Sequence, residues 1–259
     1  MNELHAVVLT GMGAITARGD ATLHGAPCDF ARATAASFQI KNLQLEKYLD
    51  SQKTYLDRCS TLALAGGALA LRDAGIEWPI ASDDFGITLG THLGCLETMQ
   101  AFWDKAMERG VRLANPLLFS HSYLNSPISL CAIEFGLKGY HTTLCAGGDS
   151  GRQAVLTAYD AIRLGHAQAM LCGGVEAATP TRARCENSDN SGEAAAFFVL
   201  ESEAHATQRG VDKSLEINDD FFSAAIASQE KVSDLFGDCG GASSALAVVL
   251  QVQQRDAIV

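Results

Sequence analysis

Two nucleophile types stand close together in the stretch from Phe135 to Ala177, FGLKGYHTTLCAGGDSGRQAVLTAYDAIRLGHAQAMLCGGVEA: the thiol of Cys145 and the hydroxyl of Ser150. Either group attacks a carbonyl only when its anion is stabilised. A helix N-terminus supplies that through its dipole and its unpaired backbone N–H groups. His141 to Cys145 (HTTLC) reads as a short strand, so Cys145 falls inside it and away from any helix end. Gly147 and Gly148 make a turn, and Asp149 or Ser150 caps the helix that follows. Val155, Ala158 and Ile162 form that helix's apolar stripe, and Gly165 stops it. Ala169 to Cys172 is a second short strand, closed by Gly173 and Gly174.

This frame of glycine turn, strand, buried helix and strand resembles the β-ketoacyl synthases of the thiolase superfamily. Members carry G-x-x-G, a strand, a nucleophilic cysteine opening a buried helix, and a second strand ending in A-G-G-x-E. Counted without gaps back from Gly165 or forward from Gly139, the cysteine position falls on Gly148, and Cys145 lies three residues too early. The resemblance therefore implies a site that has kept its backbone donors and lost its nucleophile.

Complete members also use two histidines, in H-G-T-x-T and in G-H-x-x-G-A-A-G, to hold a malonyl group and polarise the thioester. This chain has no H-G-T-x-T. Its GDCGGASSA at Gly237 to Ala245 resembles the second motif, with Asp238 in the histidine's place. A carboxylate there faces the malonyl carboxylate, and two like charges about 4 Å apart repel by roughly 4 kcal/mol at an effective dielectric near 20. The missing segment is expected between Ser223 and Val232. Resemblance is expected over residues 5–15, 57–210 and 233–251, and none over 20–50.

Other motifs are weak. Gly148 to Gly151 spells GDSG, as in chymotrypsin-like proteases, but those are all-β and this segment opens a helix. Gly90 to Gly94 (GTHLG) lacks the lysine and the spacing of a phosphate loop. His92 and His121 are expected to be surface or satisfied core histidines. Eight cysteines without a C-x-x-C pair suggest neither a zinc site nor a disulfide framework, and Cys59, Cys131 and Cys172 sit in apolar segments as small hydrophobes.

The elements that hold this site follow from the rest of the chain. With 259 residues, 47% of them hydrophobic, and 5 prolines, the chain can bury a sizeable core. A formal net charge of -11 argues against nucleic-acid or membrane-surface partners. No N-terminal signal or long apolar run is seen, so a cytoplasmic location is expected. His5 to Gly13 reads as a buried strand, Ala21 to Tyr55 as a loop-rich excursion, and Arg58 to Asp73, capped by Asp57, as a buried helix. Asp84 to Gly90 is a strand, Leu96 to Arg109 an amphipathic helix stopped by Gly110, and Pro116 to Gly136 a turn and a helix. Thr179 to Asn190 is a polar loop, Ser191 to Gly210 a strand and helix, and Leu215 to Asn218 a strand. The alternation predicts an α/β fold with a mostly parallel sheet between helices.

The resemblance implies one thiolase-like domain over 1–259, with residues 1–220 as the N-terminal half and 221–259 as a remnant of the second. It also implies a role. The chain is similar to the chain length factors, or ketosynthase β subunits, of type II polyketide synthases, and among them to short aryl-polyene systems. Such a subunit is not itself catalytic. It pairs with an active β-ketoacyl-ACP synthase, as a heterodimer or a dimer of heterodimers, and serves acyl carrier protein. Its expected tunnel and interface residues are Leu93, Leu96, Met99, Phe102 and Trp103 in one segment and Leu118, Phe119, Tyr123 and Asn125 in the next. Thr143 and Cys145 complete them on the pairing strand. No cofactor and no metal are expected. Two alternatives stay open: an independent acyltransferase or thioesterase using Cys145 or Ser150, and a scaffold that recruits acyl carrier protein.

Overall fold

The computed structural model describes residues 4–26, 28–33, 37–53, 55–188, 190–227 and 229–256. β1 (Val7–Thr16) is buried along its whole length, as its run of β-branched, small and apolar residues dictates. β2 (Gly19–Thr22) folds back on it and runs into the start of the loop-rich excursion predicted over 21–55, which holds no further strand among the described residues. Residues 27, 34–36 and 54 of that prediction lie outside the described residues. Asp73 pins the excursion by accepting from Met12 N, Leu23 N and His24 N at 2.9, 2.8 and 3.2 Å.

α1 (Arg58–Asp73) starts where expected, with the Asp57 carboxylate accepting from Cys59 N at 2.8 Å. β3 (Phe85–Gly90) and α2 (Leu96–Arg109) follow, and Gly110 stops α2 at φ 83. The predicted turn and helix over 116–136 are α3 (Pro116–Ser120) and α4 (Ser126–Phe135), ended by Gly136 in the left-handed region. β4 (His141–Leu144) leads through a 3-10 turn at Gly147–Asp149 into α5 (Ser150–Arg163).

β5 (Ala169–Glu176) is longer than predicted and runs through Gly173 and Gly174. Ladder bonds on both sides hold these glycines extended, to β3 on one edge and to the next strand on the other. The polar loop predicted over 179–190 is corrected: Thr179 accepts from Arg182 N, Pro180 takes the first turn, and α6 (Pro180–Glu186) forms. Residue 189 of that loop lies outside the described residues. β6 (Ala194–Ser202), α7 (Glu203–Gln208) and β7 (Leu215–Ile217) follow as expected. Then come α8 (Asp219–Ala227), α9 (Gln229–Phe236) and α10 (Ser243–Asp256). The expected site of a missing segment, 223–232, lies at the junction of α8 and α9, and its residue 228 is outside the described residues.

Among the described residues the sheet has seven strands, ordered β2-β1-β6-β5-β3-β4, with β7 also on β1. β3 is parallel to both β4 and β5, while β6 is antiparallel to β5 and β1. Thus β1, β5, β3 and β4 share one direction and β6 opposes them. Of the six strand pairings among the described residues four are antiparallel and two parallel, so the mostly parallel sheet expected from the alternation is corrected to a mixed one: β2, β6 and β7 each run against β1. Alternate β6 residues feed two cores. Phe197 and Val199 join Leu62, Ile87 and Phe135 under α1 and α4, while Phe198 and Leu200 join Val155, Ile162 and Leu246 under α5 and α10. The sheet is therefore flanked by helices on both faces, the α/β layering that the sequence predicts.

Candidate functional site

The site lies at the C-terminal ends of β3 and β5, where both strands meet the start of α5. Gly148 and Asp238 line one pocket of about 440 Å³, together with Ser188, Asn190, Ser233 and Ser243. The two positions singled out as lost catalytic groups, 90 residues apart, therefore open onto the same space. Gly148 is exposed, and a Cβ built on it finds its nearest neighbour, Gly240 O, 3.9 Å away. Nothing steric requires glycine there.

The surroundings are far tighter. A Cβ on Gly90 would lie 2.1 Å from Ser150 O, and one on Gly241 2.5 Å from His92 N. Backbone packs on backbone at both places, which seats the 237–245 segment against the α5 mouth and the loop after β3.

Glu176, at the end of β5 and fully buried, ties these pieces together. Its carboxylate accepts from His92 N at 2.6 Å, Gly94 N at 2.9 Å, Leu93 N at 3.2 Å and Gly241 N at 2.9 Å. Thr91 Oγ1 adds a longer contact of 3.4 Å. A buried carboxylate is tolerated only when such donors replace water. Sequence reading passed over this residue, although a glutamate closing an apolar strand, CGGVE, is a signal in itself.

Arg182, 1% exposed, is a second buried tie. It donates to Gly192 O and Asp238 O, both at 2.9 Å, and pairs with Glu186 at 2.9 Å. Its guanidinium also lies 3.4 Å from Asp238 Oδ1, which accepts from Gly240 N at 2.8 Å. Asp238 is thus both a turn-forming residue and a half-exposed carboxylate facing the pocket.

The nucleophile candidates are placed unfavourably. Ser150 is buried, its Oγ accepting from Ala146 N at 2.8 Å and donating to Gly147 O at 2.6 Å. The expectation that Asp149 or Ser150 caps α5 is corrected: neither makes the cap bond, and Asp149 instead binds the Arg152 and Gln153 side chains. Burial raises the Asp149 pKa, but those hydrogen bonds outweigh it and hold it below the ordinary value. Cys145 is exposed just past β4, and burial of its surroundings, then Glu176, push its thiol pKa up. His92 lies 3.7 Å from Glu186. His121 departs from expectation: its Nδ1 is buried without a hydrogen-bond partner, and its ring packs on Tyr55.

The expected tunnel residues separate into groups. Phe102, Trp103, Phe119 and Tyr123 form a ring-to-ring run with centroids 5.0–5.6 Å apart. Trp103, Phe119, Tyr123 and Met99 are exposed on the surface, Leu118 turns inward, and Leu93 and Leu96 are half-buried. Asn125 precedes α4 without a side-chain cap bond. Thr143 lies on β4, the last strand of the sheet order, and its Oγ1 has no partner.

The family description "Beta-ketoacyl synthase, N-terminal domain" matches residues 21–190, about two-thirds of the chain. The protein belongs to that β-ketoacyl synthase family. The match begins at residue 21, so the excursion over 20–50, for which no resemblance was expected, lies within it. Among curated relatives, 3-oxoacyl-(acyl-carrier-protein) synthase 2 of Synechocystis sp. is 28% identical over 194 residues, 68% of this chain and 46% of the relative. The enzyme of that description from Staphylococcus aureus is 24% identical over 205 residues, 69% of this chain and 51% of the relative. The chain spans about half the length of these relatives. Among solved structures, the ishigamide ketosynthase/chain length factor matches with a TM-score of 0.73 at 19% identity, covering 95% of this chain and 85% of that one. A β-ketoacyl synthase from Burkholderia phymatum reaches 0.75 at 19%, covering 98% and 87%. A type II polyketide ketosynthase complexed with its acyl carrier protein reaches 0.64 at 18%, covering 99% and 77%.

One expected outcome arises here. Gly148→Cys should fold with stability within about 0.5 kcal/mol of the parent, because the added side chain meets open space. At the mouth of α5 the new thiol should react with iodoacetamide faster than Cys145. Peptide mapping of the alkylated protein checks both sites in one experiment.

Proposed function

We propose that this chain is a catalytically inactive, chain length factor-like subunit that pairs with an active β-ketoacyl-ACP synthase and shapes its acyl tunnel. The setting is type II polyketide, polyene or fatty acid-like synthesis in the cytoplasm. The observation that carries the reading is Gly148 facing Asp238 across one pocket: no side chain where a nucleophile belongs, and a carboxylate where an acyl-activating histidine belongs. Acyl transfer through a covalent thioester needs the first, and decarboxylation of a malonyl unit is opposed by the second.

Two surfaces support a partner role. Among the described residues β4 is the last strand of the sheet order, so its outer edge is open to pairing. The aromatic run across α2, α3 and the turn after α3 leaves Trp103 55% and Tyr123 48% exposed, a contiguous apolar surface of the kind that interfaces use. The two nucleophile alternatives lose ground: Ser150 is buried with its hydroxyl engaged, and nothing lowers the Cys145 pKa.

Co-expression with an active ketosynthase, followed by size-exclusion chromatography, tests the pairing. A co-eluting complex is expected, and two separate peaks would overturn it. Within the complex, Leu96→Trp or Met99→Trp should shorten the product by at least one extension unit, because a filled tunnel holds fewer carbons. Product mass spectrometry reads the change, and an unchanged length in both variants removes the tunnel role.

A further inference from the structure

We infer that the chain holds a second ligand site, unrelated to the Gly148 pocket, that takes a small amphipathic carboxylic acid. It is a cavity of about 320 Å³ at the opposite end of the sheet, beside Phe85 and Ala169, the first residues of β3 and β5. That volume is within the range of small-molecule sites.

The lining divides by chemistry. Ile76, Pro79, Ile80 and Phe85 make an apolar wall. Facing them are Gln168, His205 and Arg209, whose bonds leave donors over. Arg209 spends Nε and Nη2 on Glu201 at 3.0 and 2.7 Å, and Nη2 also on Ala74 O, while Nη1 has no partner among the described residues. Gln168 accepts from Ser202 through Oε1, which leaves its Nε2 amide free. His205, which also lines the cavity, commits Nδ1 to Glu201 at 2.5 Å, and its other ring nitrogen has no partner among the described residues. Free donors on one side and apolar surface on the other match a ligand with an acceptor head and a nonpolar body. Arg209 Nη1 offers that head a charge-assisted bond, while Glu201 already pairs the other two guanidinium nitrogens. Glu77 and Asp84 also line the cavity but are exposed, so they sit in water at its rim and disfavour a head directed outward.

The backbone shapes this wall. Ala81 adopts φ 52, a conformation that L residues rarely take, and is held there by Ala81 N donating to Gly136 O at 2.9 Å. Ile80 N donates to Phe135 O at 2.8 Å in the same way. The loop is thereby fixed to the end of α4 before any ligand arrives, and a preformed wall lowers the ordering needed on binding.

The test uses the isolated chain with phenylacetate, and with phenethylammonium and 2-phenylethanol as controls. Saturation-transfer NMR should show phenylacetate binding with a dissociation constant of roughly millimolar or tighter, as a ligand of this size allows. Binding should weaken at least tenfold in Ile80→Trp, which fills the cavity, and about tenfold in Arg209→Lys, which keeps the charge but removes the free Nη1. Independently of any variant, a diazirine-bearing phenylacetate should label residues 76–85 and be displaced by phenylacetate. Absence of saturable binding, equal binding of the ammonium control, or labelling confined to α2 and α3 would each overturn the site. None of these outcomes depends on whether the chain pairs with a ketosynthase.

Discussion

Glu176→Ala should lower stability by about 3–5 kcal/mol, because it strips the shared acceptor from four backbone donors at once. The physical reason is the number of groups left behind. His92, Leu93, Gly94 and Gly241 each donate a backbone N–H to this carboxylate, in a place that the backbone contacts around Gly90 and Gly241 close to solvent. Each abandoned buried donor costs about 1–3 kcal/mol before relaxation. Glu176→Gln keeps an acceptor but loses the charge and half the acceptor capacity, so a smaller loss of about 1–3 kcal/mol is expected. Urea melts of the three proteins check the order. Hydrogen exchange at residues 91–94 and 241 should accelerate in the alanine variant before exchange in β1 does, because those amides lose their acceptor directly. Parent-like protection there would mean that Glu176 is not what holds the loop.

The second large effect is at Glu201. Burial raises its pKa, but His205, Arg209 and Thr10 more than reverse this and bring it down to about 2 from 4.5. A depressed carboxylate stabilises the fold above its unfolded pKa. That contribution, roughly 3 kcal/mol for a shift of this size, is present at neutral pH and lost as pH falls from about 5 through about 2. Glu201→Gln should therefore be markedly less stable than the parent at pH 7, and the gap should close as pH falls toward 3. A parent and variant differing by a constant amount between pH 7 and pH 3 would exclude this origin. The same carboxylate links elements: Glu201 on β6 reaches Thr10 on β1, His205 on α7 and Arg209 just past its end.

Much of the frame was legible because local signals and burial agree. Asp57 before a run of small apolar residues, Gly110 after an amphipathic helix and Gly165 after another each mark a boundary that the structure keeps. Counting from Gly139 and from Gly165 singled out Gly148, and the structure places that residue in the turn that opens α5, beside the pocket it shares with Asp238. What was not legible depends on residues distant in sequence. β5 continues through Gly173 and Gly174 only because β3 and β6 hold both its edges. α6 was hidden by its polar composition, although Thr179 and Pro180 are a start signal. The Glu176 cradle gathers amides from residues 92–94 and 241, a set that no single window contains. Arg182 is likewise unremarkable in sequence and 1% exposed in the fold.

The spare room beside Gly148 has a consequence for how such a protein persists. Gly90, Gly151 and Gly241 are fixed by backbone packed within 3 Å of where a Cβ would stand, whereas a Cβ at position 148 meets only Gly240 O at 3.9 Å. Chemistry and architecture are therefore separable here: the side chain at this one position can change without displacing a packed atom, and the shape around it is kept whatever stands there.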